Sequence, residues 1–260
     1  MKIAIYNNEA DVSLAVAKQL KQKLLQEQVI LDENNPDIVV TIGGDGTVLK
    51  AVHHYQSILD KVKFIGIHTG HLGYYTDWLP DELDELITFL RTNNSGLMTY
   101  PLLAVSVYAP EGVKQFMAFN EMTILNAYRT QHLNVTIDGL FFESFRGTGV
   151  CISTPTGSTA YNKSLGGAII FPSLSAFQMT EIGSLNNNVY RTIGSSLVIP
   201  SNHVITLESE SFEGATVTRD HLYDTFDDIH KIEVTLSKQS VSFIKRHDVS
   251  FWARVKDNFL

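Results

Sequence analysis

Apolar residues follow two different rhythms along this chain. Over residues 1–100, short apolar runs alternate with longer segments of helical spacing. Lys2–Tyr6, Asp37–Ile42 (DIVVTI) and Phe64–His68 (FIGIH) are runs of the kind that strands buried on both faces require. Val12–Leu25 carries Val12, Val16, Leu20 and Leu24 near one helical face, and Val48–Tyr55 reads as a second helix. Pro80–Leu90 reads as a third, with Pro80 and Asp81 at its start and acids in its first turn. This alternation predicts an α/β domain over 1–100, a parallel sheet with helices on both faces.

After Pro101 the rhythm shortens. Strands are predicted at Leu102–Tyr108, Met117–Leu125, Leu133–Ile137, Leu140–Phe145, Val150–Ser153, Leu197–Ile199, Val204–Leu207, Ala215–Thr218, Ile229–Leu236 and Val241–Lys245. Pro110–Gly112, Asp138–Gly139, Pro200–Asn202 and Glu213–Gly214 punctuate them as turns. The pattern predicts a β-rich, sandwich-like domain over 101–245, interrupted by the Gly-, Ser- and Thr-rich stretch Thr156–Leu165. In the tail, 246–260, Phe251, Trp252, Val255 and Phe259 fall at helical spacing and predict a helix docked on the body. Trp78 and Trp252 are expected to be packing anchors.

Composition narrows the field. The 260 residues are 44% hydrophobic and 18% charged, ordinary values for a globular protein. A net charge of −8 argues against a broad nucleic-acid surface, so a phosphorylated ligand would need local attraction from backbone amides, a few basic side chains or a metal ion. No apolar stretch is long enough to span a bilayer, and the first residues do not read as a secretory signal. The single cysteine, Cys151, excludes an intrachain disulfide and a Cys-x-x-Cys site, and is expected to be a buried free thiol. A reducing cytoplasm is the expected home.

Three segments carry chemistry. Gly43-Gly44-Asp45-Gly46-Thr47 stands where a buried strand meets a helix, the place where open α/β sheets bind ligands. Glycines admit a phosphate close to the backbone, and the helix start offers free N–H groups. Asp45 could accept a proton from a hydroxyl nucleophile or hold a metal; as a plain turn it would need no carboxylate. Lys50, one turn beyond Gly46, could reach a phosphate, whereas His53 and His54 read as surface residues. Asn120-Glu121 places two polar groups within the apolar strand FNEMTIL, where burial would demand partners. From Arg146 to Gly167, a strand leads through Thr-Pro-Thr-Gly into a short helix crowded with hydroxyls. Tyr161 could stack on a ring, and Arg146 and Lys163 could serve phosphates. His68 and His71 flank Gly70 near a strand end.

Taken together, GGDGTVL, HTGHLGYY at 68–75, the strand-borne Asn-Glu, STPTGSTAY with its downstream SLGG, and the Asp-His at 220–221 resemble the NAD kinase family in order and spacing. GGDGT alone is shared with lipid kinases of the diacylglycerol type; STPTGSTAY is far more selective. The resemblance implies a kinase that phosphorylates the 2′-hydroxyl of the adenosine ribose of NAD, with ATP or inorganic polyphosphate as donor and a divalent metal ion, magnesium, as helper. It implies that Asp45 is catalytic with Gly46 beside it as a substrate contact, that Asn120 and Glu121 hold the ribose and diphosphate region, and that Tyr74 and Tyr75 lie near the adenine and ribose. Thr159, Ala160, Tyr161, Asn162, Lys163 and Ser164 would wrap the adenine. Gly183, Leu185 and Asn187 would line the nicotinamide or second-nucleotide region, partly across a subunit interface of a homodimer or homotetramer, with His221 nearby. Gly43, Gly44, Thr47 and Lys50 are the expected phosphate contacts, and no protein residue is assigned to a metal. One departure stands out: Thr148 sits between Gly147 and Gly149, where the family usually has an acid, so it can hydrogen-bond but carries no charge. Two other readings, a lipid-type kinase with the same loop and an NAD(P)-binding sensor without turnover, are opposed by the polar 153–164 stretch and by the presence of Asp45 respectively.

Overall fold

A computed structural model describes residues 1–70, 73–92, 96–226, 228–246 and 250–260; His71 lies outside them. The first part of the chain forms β1 (Lys2–Asn7), α1 (Asp11–Gln26), β2 (Ile30–Leu31), β3 (Ile38–Ile42), α2 (Asp45–His54), β4 (Lys63–Ile67) and α3 (Leu83–Thr92). There follow β5 (Gly96–Ala109), β6 (Gly112–Ala118), β7 (Glu121–Asn126), β8 (Gln131–Ile137), β9 (Leu140–Gly147), β10 (Gly149–Ser153) and the four-residue α4 (Tyr161–Ser164). The remainder is β11 (Ala176–Ile182), β12 (Leu197–Pro200), β13 (Ile205–Glu208), β14 (Ala215–Arg219), β15 (Leu222–Thr225), β16 (Lys231–Lys245) and α5 (Phe251–Phe259). No helix among the described residues is long and apolar enough to cross a membrane.

The chain forms two compact units: Met1–Tyr100 with Gln239–Leu260, and Pro101–Lys238. Residues 239–245 thus part from the β-rich region to which the sequence assigned them. The reason is strand pairing: Ser242 and Phe243 lie parallel to Lys63 and Phe64 of β4.

In the first unit the strands run in the order β2-β1-β3-β4, all parallel. Every residue of β3 is buried, as a strand covered on both faces requires. Ile38, Val40 and Ile42 share a core with Val16, Leu20 and Leu24 of α1 and Leu83, Leu86 and Ile87 of α3; Val39, alternating to the other face, is equally enclosed. Two expectations shift. Val12 is 55% exposed, and Ser13 takes its place on the buried face. Each four-residue step overshoots a full turn by about 40°, so the first member of a long i+4 series drifts off the stripe. The third helix starts at Leu83, with Pro80 and Asp81 in the turn before it, where the Glu82 carboxylate accepts the Leu79 N–H at 2.8 Å.

The second unit is the expected sandwich. One sheet, β12-β11-β10-β7-β14-β15, is antiparallel throughout. The other side comprises β13, β8, β9, the start of β16 and the β5–β6 pair. Apolar residues from both sets, among them Val105, Ile124, Phe145, Ile152, Phe177 and Val234, form one core. Cys151 is a buried free thiol. Asp138 and Gly139 both have positive φ (+51° and +78°) and close the β8–β9 hairpin. The run FNEMTIL is not one strand: β6 ends at Ala118, β7 begins at Glu121, and Phe119-Asn120 form a bend. Two strands escaped the sequence pattern altogether, β11 and β15, as did the short β2.

Candidate active site

In the first unit, β3 delivers the chain into the glycine loop. Gly43 has φ +151°, and a β-carbon there would lie 2.2 Å from Thr47 Oγ1, so only glycine fits. Its N–H donates to the Ile67 carbonyl at 2.9 Å, tying the loop to β4. Gly44 caps α2, and Asp45 is the helix's first residue rather than part of a loop before it. The helix therefore begins with Asp45, Gly46 and Thr47; the Asp45 and Gly46 N–H groups belong to the first turn, where intrahelical partners are lacking, while the Thr47 N–H donates to the Gly44 carbonyl at 2.9 Å. Gly46 and Lys50 are exposed; Thr47 is buried and receives the Asn8 Nδ2 at 3.4 Å.

The Asp45 carboxylate is fixed in place. Oδ2 accepts the Tyr74 N–H at 2.8 Å and Oδ1 the Tyr75 N–H at 3.1 Å. Gly73 makes this approach possible, since its missing β-carbon would meet Asp45 Oδ1. The Tyr75 ring is only 4% exposed, stacked on Phe243 at 5.7 Å. In this structure it is core, and its contribution at Asp45 is a backbone amide. The Tyr74 ring lies against Phe251 and Phe259 of α5.

The segment 73–77 that supplies those amides is itself braced. Asp77 and Trp78 donate backbone N–H bonds to Gly66 O at 3.0 and 3.1 Å. Arg254 of α5 donates to the carbonyls of Gly73 and Thr76 and to the carboxylate of Asp77, which also receives Lys245 Nζ at 3.0 Å. Burial pulls the Lys245 ammonium below its usual range, against the attraction of Asp77. Arg254, 4% exposed, is what ties α5 to this segment, while Trp252, expected to be a packing anchor, is 56% exposed.

In the second unit, Asn120 and Glu121 are 7% and 8% exposed. The amides of Phe119, Asn120 and Glu121 all donate to the carboxylate of Asp220. That is why the strand breaks here: these N–H groups go to a side chain instead of a neighbouring strand. The Asn120 carbonyl accepts the Thr154 N–H at 2.9 Å, and Gly157 packs so close that a β-carbon would lie 2.1 Å from it. Glu121 accepts the Tyr161 N–H, and its Oε2 has no hydrogen-bond partner among the described residues. Burial first, then the charge of Asp220, pushes its carboxyl up to about 8, against the pull of the Tyr161 amide.

The hydroxyl-rich stretch divides by exposure. Tyr161 is 41% exposed, Ser164 is exposed, and Thr159, Ala160 and Lys163 are half-buried. Asn162 differs from its expected role of wrapping a ligand. It is fully enclosed, accepts the Thr180 hydroxyl at 2.8 Å, and fills the space beside Gly167, so its side chain supports the segment from beneath. Arg146 lies over the Tyr190 ring at 3.9 Å, and its carbonyl accepts the Leu185 N–H at 2.8 Å. Thr148 Oγ1 faces Gly183, whose φ of +56° and missing β-carbon make room for it. Asn187 Oδ1 accepts the Val189 and Tyr190 amides at 2.8 and 2.9 Å and closes the turn that carries Leu185 and Tyr190. Arg146 and Thr148 are therefore brought together with 183–190, and His221 follows Asp220 as an exposed residue. Asp220 and Gly73 stood inside motifs that carry the resemblance but were given no role of their own, and Asp77 and Arg254 were passed over.

The profile of the ATP-NAD kinase N-terminal domain matches residues 6–94, and that of the ATP-NAD kinase C-terminal domain matches residues 119–246. NAD kinase 1 of Bacillus cereus (strain ATCC 10987 / NRS 248) is 44% identical over 262 residues, covering 100% of this chain and 99% of the relative. NAD kinase of Streptococcus pneumoniae (strain 70585) is 46% identical over 261 residues, covering 100% and 96%. Among solved structures, yeast NADH kinase complexed with NADH superposes with a TM-score of 0.86 at 19% identity, covering 99% of this chain and 86% of that one. An NAD kinase from Archaeoglobus fulgidus in complex with ATP gives 0.74 at 24% identity, covering 95% and 94%. These two share the fold.

Proposed function

Because this chain belongs to the NAD kinase family, we propose that it transfers the terminal phosphoryl group of ATP to the 2′-hydroxyl of the adenosine ribose of NAD, giving NADP. The observation that carries the reading at the atomic level is Asp45, held at the start of α2 by the amides of Tyr74 and Tyr75. Phosphoryl transfer asks for alignment and charge neutralisation more than covalent help. The Asp45 carboxylate takes the proton of the 2′-hydroxyl; the oxygen forms a bond to the terminal phosphorus; the bond from that phosphorus to the bridging oxygen breaks, and ADP leaves. Gly43, Gly44, Gly46, Thr47 and Lys50 are assigned to phosphate oxygens. Asn120, Glu121 and the 159–164 segment are assigned to the acceptor, with Asn162 in a supporting role. Arg146, Thr148, Gly183, Leu185, Asn187 and His221 are assigned to its remaining nucleotide.

Among the described residues the implied divalent ion finds no cage of its own. No three of His, Cys, Asp and Glu among the described residues come together to hold one, and both Asp45 oxygens already accept N–H bonds. We therefore treat magnesium as part of the donor, entering as its complex. A cytoplasmic homodimer or homotetramer is the assembly we propose, supported by the family and by exposed Leu140 (74%), Phe141 (59%) and Val189 (76%) in the second unit.

The test is NADP formation from NAD, magnesium and either ATP or polyphosphate, with Asp45→Asn alongside. The variant should bind NAD and lose roughly 10²–10⁴-fold in turnover, the usual contribution of a general base. Near-normal turnover in Asp45→Asn would remove Asp45 from the mechanism, and turnover with polyphosphate would widen the donor range.

A further inference from the structure

Asp220 occupies the first position of the two-residue turn between β14 and β15, whose flanking residues Arg219 and Leu222 are paired. Its φ is +50°, a left-handed conformation open to glycine, asparagine and aspartate. The turn by itself would be served by any of the three. What aspartate adds is a second oxygen that carries no hydrogens, and both oxygens are used. Oδ2 accepts the Phe119 N–H at 2.8 Å, while Oδ1 accepts those of Asn120 at 2.6 Å and Glu121 at 3.3 Å. The Asp220 N–H answers with a bond to the Glu121 carbonyl at 3.0 Å. Successive amides converging on an anion make a strong, directional clamp.

We propose that Asp220 is a positioning residue for the acceptor nucleotide: by clamping the amides of Phe119, Asn120 and Glu121 it sets the aim of the Asn120 and Glu121 side chains. This inference rests on the NAD kinase reading. Glu121 Oε2, buried and without a partner among the described residues, is the atom that such aiming would present to a polar group of the acceptor. Among the described residues, the Glu121 carboxyl is faced by the β14–β15 turn with Asp220, by β10 with the Cys151 thiol, and by α4 with the Tyr161 N–H. Asp220 is the only charge among these. It favours a protonated Glu121, which can donate a hydrogen bond as well as accept one.

The whole chain carrying Asp220→Asn or Asp220→Gly tests this, because both substitutions suit the left-handed turn. Steady-state kinetics with NAD and magnesium–ATP varied separately should show KM for NAD rising about tenfold or more in Asp220→Gly, the scale of lost charge-assisted hydrogen bonds. The rise should be smaller in Asp220→Asn, which keeps one acceptor oxygen. KM for ATP should stay within about twofold in both. In Asp220→Asn, the limb of kcat/KM for NAD set by Glu121 should also move to lower pH, since a like charge is gone. A lower melting temperature with both KM values and the pH limb unmoved would overturn the proposal. Should Asp220→Gly fail to fold, the kinetics and pH profile of Asp220→Asn decide alone. Calorimetric titration with NAD separates the two claims. A wild-type protein that neither binds NAD nor forms NADP sinks the kinase reading, and this inference with it. An active wild type whose variants keep its KM for NAD sinks only the role of Asp220.

Discussion

A β-carbon on Gly73 would lie 2.1 Å from Asp45 Oδ1. The proposed base and a glycine 28 positions further along the chain thus share one small space. Gly73→Ala forces the carboxylate to swing away and give up the Tyr74 and Tyr75 amides. Hydrogen bonds to a charged group are worth about 1.5–3 kcal/mol each, so the displaced state is a substantial rearrangement. The expected outcome is a folded protein with most of its turnover lost. Circular dichroism and NADP formation would check the two halves of that statement; wild-type turnover in Gly73→Ala would show that the position of Asp45 does not matter.

Glu121 makes stability depend on pH in an unusual direction. Its carboxyl titrates near 8 in the folded protein, against 4.5 for the unperturbed group. Between those values the native state holds one proton more than the unfolded chain, so stability falls as pH rises through the window and levels off outside it. Glu121→Gln removes the dependence. Melting temperatures at the two ends of the window should differ more in the wild type than in Glu121→Gln, and equal differences would refute the assignment.

Arg254 is expected to matter beyond its place in a surface helix. Arg254→Met leaves the carbonyls of Gly73 and Thr76 without their donor and the buried Asp77 with less compensation. Breaking a buried pair from one side costs about 3–5 kcal/mol. Lys245, still bonded to Asp77, should keep the loss toward the lower end. Urea denaturation measures it. Turnover should fall as well, since the freed segment carries the amides that hold Asp45, and Arg254→Lys should recover part of both.

Gly157→Ala probes the second unit. The added carbon would meet the Asn120 carbonyl, a backbone group that cannot rotate aside. Overpacking of this kind costs typically about 1–3 kcal/mol. NAD binding should weaken more than ATP binding, as measured by calorimetry. Equal weakening of both would point to a general loss of folded protein.

The legible parts of the molecule were those with local causes. DIVVTI had to be a strand covered on both faces, and Asp138-Gly139 had to be a hairpin turn. β11 was illegible because its interior carries Gln178 and Thr180, both buried and satisfied by Ala168 and Asn162, where a single sequence shows only polar residues in an apolar run. Asp45, Asn120 and Glu121 were visible as polar residues in positions where packing has no use for them. Asp220 was visible only as the neighbour of His221 in a matching motif, with no role, and Arg254 not at all, since an aspartate at a turn and an arginine on a short helix have ordinary local explanations. What they hold lies 100 and 181 positions away in the sequence.

That last separation sets a timetable. Gly73 leaves the ribosome long before Arg254, and at ordinary elongation rates the interval is roughly 10–40 s. Throughout it the nascent chain already possesses Asp45 and the glycine loop, yet lacks the guanidinium that pins the segment holding that carboxylate. The brace on the segment that holds Asp45 is therefore completed only once α5 has been made, and a chain cut short before Arg254 should turn over more slowly than the whole one.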